Sequence, residues 1–133
     1  MRLVLDTNVV VSGVLTPMGP PGHLLDLVLA GEVTLVMEPR IAGEYREVLL
    51  RPRFGLDPAY VHPLIDALEE IGVQVTALPW PSELQDRSDE IFLATASAGQ
   101  AVLVTGNVAD FPVSKRQGVI VRTPRQCLDE LRQ

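Results

Sequence analysis

The chain has 133 residues, 47% of them hydrophobic and 21% charged, with mean hydropathy +0.21; this is a globular composition at about the length of one domain, 1–133. One cysteine, Cys127, excludes an internal disulfide and a multi-cysteine zinc site, and two histidines, His23 and His62, leave little for imidazole chemistry, so any metal is expected on oxygen ligands. The net charge of −6 excludes a general nucleic-acid coat but not a local acidic site charged up by divalent cations; no run approaches the roughly 20 apolar residues of a membrane span and no leader pattern opens the chain, so a soluble, cytoplasmic protein is expected.

Arg2 to Leu5 reads as a buried strand ending on Asp6. A carboxylate there needs hydrogen bonds, a cation or a metal, because without a partner it would shift its pKa and neutralise. Pro20 and Pro21 precede a helix over His23 to Ala30, closed by Gly31. Val33 to Met37 is a second strand. Pro39 opens a helix through about Leu50 with Ile41, Tyr45, Val48 and Leu49 on one face; Glu44 falls beside that face and Glu47 toward solvent. Asp57 and Pro58 start another helix, whose stripe of Val61, Leu64, Ile65, Leu68 and Ile71 ends at Gly72.

Val73 to Ala77 reads as a third strand, Asp89 to Ala98 as an apolar helix, and residues 101–105 and 118–121 as the fourth and fifth strands. Thr123, Pro124 and Gln126 open a C-terminal helix in the manner of a capping box. Strands that alternate with helices and run continuously apolar predict an α/β fold with a parallel sheet covered on both faces. In such sheets sites form at the carboxyl ends of strands where the strand order reverses. Asp6 follows one strand end and the TGNVAD segment another.

Four acids are candidates for one such site: Asp6, Glu44, Asp89 and Asp110. Gathered carboxylates repel unless cations sit among them, and an all-oxygen set suits Mg²⁺ or Mn²⁺. Each acid also has a plainer role. Asp6 can close an Asx turn, Glu44 can be a solvated helix residue, Asp89 can serve the helix dipole behind an N-cap at Asp86 or Ser88, and Asp110 can belong to a turn before Pro112.

The stretches LDTNVVVSG, EYREVL, DEIFLATA and VTGNVADF, in this order, resemble the PIN-domain ribonucleases, especially the VapC-like toxins of toxin–antitoxin systems, and the resemblance runs over nearly the whole chain. It implies a three-layer, Rossmann-like sheet of about five mainly parallel strands with helices on both faces. It also implies a metal-dependent endoribonuclease whose Asp6 and Asp89 are central ligands of Mg²⁺ or Mn²⁺, flanked by Glu44 and Asp110. Thr7 and Asn8 would support the site, with Ser12 more distant. Asn107 stands where some members carry an acid, which leaves open whether Asn107, Asp110 or both complete the metal shell. An RNA substrate, a cognate antitoxin and a homodimer or higher homo-oligomer are implied as partners, and no membrane.

An RNA-docking surface should be locally basic. Arg46, Arg51 and Arg53, and the pair Lys115 and Arg116, are candidates beside the simpler reading of a solvated face. Trp80, between two prolines, reads as a loop anchor before a base-stacking group, and His23, His62 and Cys127 read as structural. Two rival functions remain open. One is a phosphohydrolase using Asp6 as nucleophile, although such enzymes usually need an acid two residues on, where Asn8 stands; the other is a non-catalytic PIN-like scaffold.

Overall fold

A computed structural model of the chain describes residues 1–133. Strands β1 (Arg2–Leu5), β2 (Thr34–Met37), β3 (Val73–Gln74), β4 (Val102–Val104) and β5 (Val121–Arg122) form one sheet. Their order is β3-β2-β1-β4-β5 and every neighbouring pair is parallel. Helices α1 (Thr7–Leu15), α2 (Pro20–Leu29), α3 (Pro39–Leu49), α4 (Pro58–Ile71), α5 (Glu90–Gly99) and α6 (Pro124–Leu131) complete the expected α/β architecture. The chain steps from β1 outward to β2 and β3, then returns across the sheet to β4 and β5. Right-handed crossovers in these opposite directions put α1 to α4 on one face and α5 on the other. The reversal lies between β1 and β4, so a crevice opens where those two strands end.

Burial explains the continuous apolar strands. Leu3, Val4, Leu5, Leu35, Val36, Met37, Leu103 and Val104 all fall in a core of 30 buried residues, as strands covered on both sides require. On the other side Phe92, Leu93 and Ala96 of α5 meet that core.

Several boundaries differ from the sequence reading. Residues 7–15, where the sequence pattern marks no element, form α1. Their run of valines favours strand on propensity, but only one face packs inward: Val9, Val10 and Gly13 are buried while Asn8, Ser12 and Leu15 are exposed, and a Cβ on Gly13 would stand 3.1 Å from the Pro21 carbonyl oxygen. Helix α2 begins at Pro20 instead of His23 because proline is tolerated in a first turn. The fifth strand occupies 121–122 and not 118–121. Gln117 and Gly118 turn with φ of 49° and 86°, and pairing with β4 starts only where the Ile120 carbonyl accepts from the Leu103 N–H at 2.9 Å. The capping box of Thr123 and Gln126 forms as the sequence indicates, with reciprocal bonds of 3.1 and 2.9 Å.

A buried carboxylate outside the cleft fixes the site's surroundings. Glu38, 3% exposed, caps α3 by accepting from the Arg40 N–H at 3.0 Å. It also holds the Arg40 guanidinium at 2.7 Å and the Ala77 N–H at 3.1 Å. The Arg40 hydrogen bonds are the main reason its carboxyl sits at about 2, well below the usual carboxylate range. One side chain thus ties the end of β2 to the segment after β3. Glu38→Gln keeps one acceptor and loses the charge, so urea denaturation should show a loss of about 1–2 kcal/mol; an unchanged midpoint would contradict this role.

Candidate metal centre

The site is assembled from the two strand ends that flank the topological reversal. Asp6 takes the N-cap position of α1, where its N–H donates to the Val104 carbonyl at 2.9 Å. Its Oδ2 accepts from the Thr105 hydroxyl at 2.7 Å and from the Asn8 side-chain amide at 3.3 Å. Asn8 in turn accepts from the Gly106 N–H at 3.1 Å, and Thr105 Oγ1 accepts from the Asn107 N–H at 3.0 Å. The ends of β1 and β4 are therefore laced together by side chains, with one carboxylate at the knot.

Glu44 reaches this knot through its neighbour. Tyr45 is fully buried and its hydroxyl donates to the carbonyl of Leu5, the last residue of β1. Burial, and then the charges of Asp6 and Glu44, hold the phenol proton far above its ordinary range. This bond docks α3 against the end of β1, and one residue earlier Glu44 accepts a hydrogen bond from the Thr7 hydroxyl. Asp89 arrives by a different route. A short turn, Arg87–Asp89, runs into α5, and Asp86 caps it, accepting from the Ser88 N–H and hydroxyl at 3.0 and 2.6 Å. Buried Glu90 steadies the approach by holding the Leu84 N–H at 2.9 Å and Arg87 Nε at 2.7 Å.

Asp6, Thr7, Asn8, Ser12, Glu44, Asp86, Asp89 and Asp110 line one open cleft of about 410 Å³ together with Arg51, Arg53 and Phe54. All four acids singled out by the sequence are therefore brought together. Asn107 is not among the lining residues, and its place beside the cleft is taken by Asp110. A larger concavity of about 490 Å³ between α2 and α6 contains His23, Asp26, Glu32 and Arg132 but no converging set of acids.

The electrostatics of the cleft are those of a site short of positive charge. The Asp6 carboxyl is pushed up to about 6, chiefly by burial and further by Glu44 and Asp110, against the lowering effect of Thr105 and the Thr7 N–H. Asp89 is pushed up to about 7 by burial and by the charges of Asp6, Asp86, Asp110 and Glu44. Five carboxylates face two guanidinium groups. No three acidic, histidine or cysteine side chains stand close enough to make a finished coordination shell. An oxygen-only donor set on an open cleft fits Mg²⁺ or Mn²⁺ nevertheless, because Mg²⁺ keeps several waters and takes one or two carboxylates plus substrate phosphates instead of a closed protein cage.

The basic candidates divide. Arg51 and Arg53 line the cleft. Arg46 does not: its guanidinium is tied to Asp66 at 3.0 Å, Glu69 at 3.1 Å and His62 at 2.8 Å, so it braces α3 against α4. Arg116 Nε donates to the Phe111 carbonyl at 2.7 Å, and the Lys115 carbonyl accepts from the Trp80 indole at 2.9 Å; both residues lie outside the cleft, and Trp80 is the loop anchor its prolines suggested. Thr105, Asp86 and Phe54 went unmarked as site residues in the sequence. Only Thr105 carried a usable signal, a hydroxyl at the end of an apolar strand.

Comparisons with known proteins agree with this architecture. The uncharacterized protein MJ1680 of Methanocaldococcus jannaschii is 24% identical over 110 residues, covering 80% of this chain and 71% of the relative. A crystal structure of VapBC2 from Rickettsia felis, bound to a DNA fragment from their promoter, matches with a TM-score of 0.64 and 16% identity over 92% of this chain and 98% of that one, a likeness of fold. The PIN domain family matches residues 2–109, a span that takes in every strand but the last and every acid of the cleft except Asp110, and the chain belongs to that family.

Proposed function

We propose that this protein is a metal-dependent endoribonuclease that hydrolyses RNA phosphodiester bonds in the cleft lined by Asp6, Glu44, Asp89 and Asp110. PIN domains are in general nucleases that use divalent ions, which supports a hydrolase. The observation that carries the reading is the convergence in one cleft of acids contributed by four separate segments, two of them held above the ordinary carboxylate range. Bound Mg²⁺ or Mn²⁺ supplies activation of the attacking water and neutralisation of charge on the leaving oxygen. Asp6 and Asp89 are the central holders, with Glu44 and Asp110 flanking them. Thr105 and Asn8 keep the Asp6 carboxylate aimed, and Thr7 does the same for Glu44.

The likeness of fold to VapBC2 supports a toxin role with an antitoxin partner, and exposed Leu15 and Met18 offer apolar surface for that partner or a second copy. An aspartyl-phosphate route through Asp6 is not favoured, since Asn8 stands two residues on and is engaged with Asp6 and Gly106. Incubation of single-stranded and structured RNAs with Mn²⁺, Mg²⁺ or EDTA tests the reading. Cleavage should need the ion and fall at least about 100-fold in Asp6→Asn, by analogy with loss of a main electrostatic element. Cutting that survives EDTA and the substitution would reject it, and ion binding without cutting would favour the scaffold.

A further inference from the structure

Helix α3 grips the acidic cleft through two consecutive residues. Tyr45, fully buried, donates its hydroxyl to the Leu5 carbonyl, and Glu44 accepts from the Thr7 hydroxyl. Leu5 and Thr7 flank Asp6 in the chain, so the helix holds the segment just before and just after that carboxylate. The other buried residues of α3 are Ile41, Ala42 and Leu49. Their burial sets how close the helix lies to the sheet, but apolar burial is non-directional. Two further ties lead away from the cleft, from Glu38 at the helix cap to the Ala77 N–H and from Arg46 to Asp66 and Glu69 on α4.

A hydroxyl bound to a carbonyl, by contrast, prefers one direction, and successive side chains on a helix diverge by about 100°. Aiming Tyr45 at the end of β1 therefore turns Glu44 to the margin of the buried face, where it is half-buried and lines the cleft with Asp6. We propose that Tyr45 is a positioning residue of the metal centre: its hydroxyl on the Leu5 carbonyl fixes the rotation of α3, and so the place of Glu44 beside Asp6. Tyr45 is absent from the cleft lining and acts through Glu44. The inference rests on the reading of the cleft as a metal centre, and it adds to the acids a buried phenol that the sequence pattern marks only as part of an apolar stripe.

The test is a double-mutant cycle read by calorimetric titration of Mn²⁺ at pH 8, using Glu44→Gln and Tyr45→Phe, which keeps the ring and loses the hydroxyl. Each single variant should weaken Mn²⁺ binding about tenfold. The double variant should also lose about tenfold instead of about a hundredfold, because without the carboxylate Tyr45 has nothing to position. Ile41→Val, equally buried on the same helix, should lower the melting temperature in EDTA by a few degrees as Tyr45→Phe does, yet bind Mn²⁺ within about twofold of wild type. With RNA present, Tyr45→Phe should raise the Mn²⁺ concentration for half-maximal cleavage about tenfold and leave the rate at saturating Mn²⁺ within about threefold. A loss of about a hundredfold in the double variant, wild-type affinity in Tyr45→Phe, or a loss of about tenfold in Ile41→Val would overturn the positioning role. Mn²⁺ binding that shows the coupling in a protein that cuts no RNA would instead overturn the nuclease reading alone.

Discussion

Asp6→Asn and Asp89→Asn should each melt above wild type in EDTA at pH 8, while losing ion-dependent RNA cleavage. Without metal the fold forces these carboxyls to ionise in a place that resists ionisation, Asp6 chiefly by burial and Asp89 by burial and four neighbouring acids. A pKa near 6 or 7 against the ordinary 3.8 corresponds to roughly 3–4 kcal/mol of unfavourable charge at high pH, reduced by solvent and relaxation to on the order of 1–2 kcal/mol. An amide of the same shape removes that charge, and for a domain of this size the gain amounts to a melting temperature about 3–6 °C higher. Activity must move the other way, because the charge that destabilises the apo fold is what holds the ion. A variant that melts several degrees lower in EDTA would mean that the carboxylate is a structural ligand of its neighbours and not a metal holder.

The second large effect is a reversal of pH dependence by metal. For Asp6 and Asp89 the folded pKa lies above the unfolded one. Between about pH 4 and pH 7 the native state therefore holds more protons than the unfolded chain, and stability falls as pH rises through that window. Glu38 has the opposite sign: held at about 2, it contributes stability above its unfolded pKa that is lost as pH drops toward 2. The metal-free protein should accordingly be most stable near pH 4, where the two opposing effects balance, and lose on the order of 2–3 kcal/mol by pH 8. Saturating Mn²⁺ should add little at pH 5, where protons occupy the site, and about 2.7 kcal/mol at pH 8 at a hundredfold excess over Kd. Chemical denaturation at the two pH values measures both, and an equal metal effect at pH 5 and pH 8 would contradict the carboxylate site.

The sequence was most informative where local pattern and chemistry coincide. Asp6 ends an apolar run, Glu44 sits beside a helical stripe, and Thr123 and Gln126 spell out a cap; each is where pattern placed it. What stayed hidden depends on partners distant in the chain. The valine-rich α1 is a helix because of what packs against its inner face, Val9, Val10 and Gly13, and Arg46 is withdrawn from the rim by Asp66 and Glu69 on another helix. Thr105 reaches Asp6 across 99 positions, and Tyr45 looks like any core residue until its hydroxyl is found on the Leu5 carbonyl. Glu38 shows the converse: a buried acid with its own arginine beside it is a structural staple, so acidity alone does not mark the site.

Anomalous diffraction from crystals of the protein soaked in Mn²⁺ at pH 8 asks most directly whether the cleft is a metal centre. A Mn²⁺ peak within coordinating distance of Asp6 and Asp89, with Glu44 or Asp110 turned toward it and no peak in Asp6→Asn, is the expected result. An ordered cleft without a peak at saturating Mn²⁺, or manganese bound only elsewhere on the surface, would contradict it.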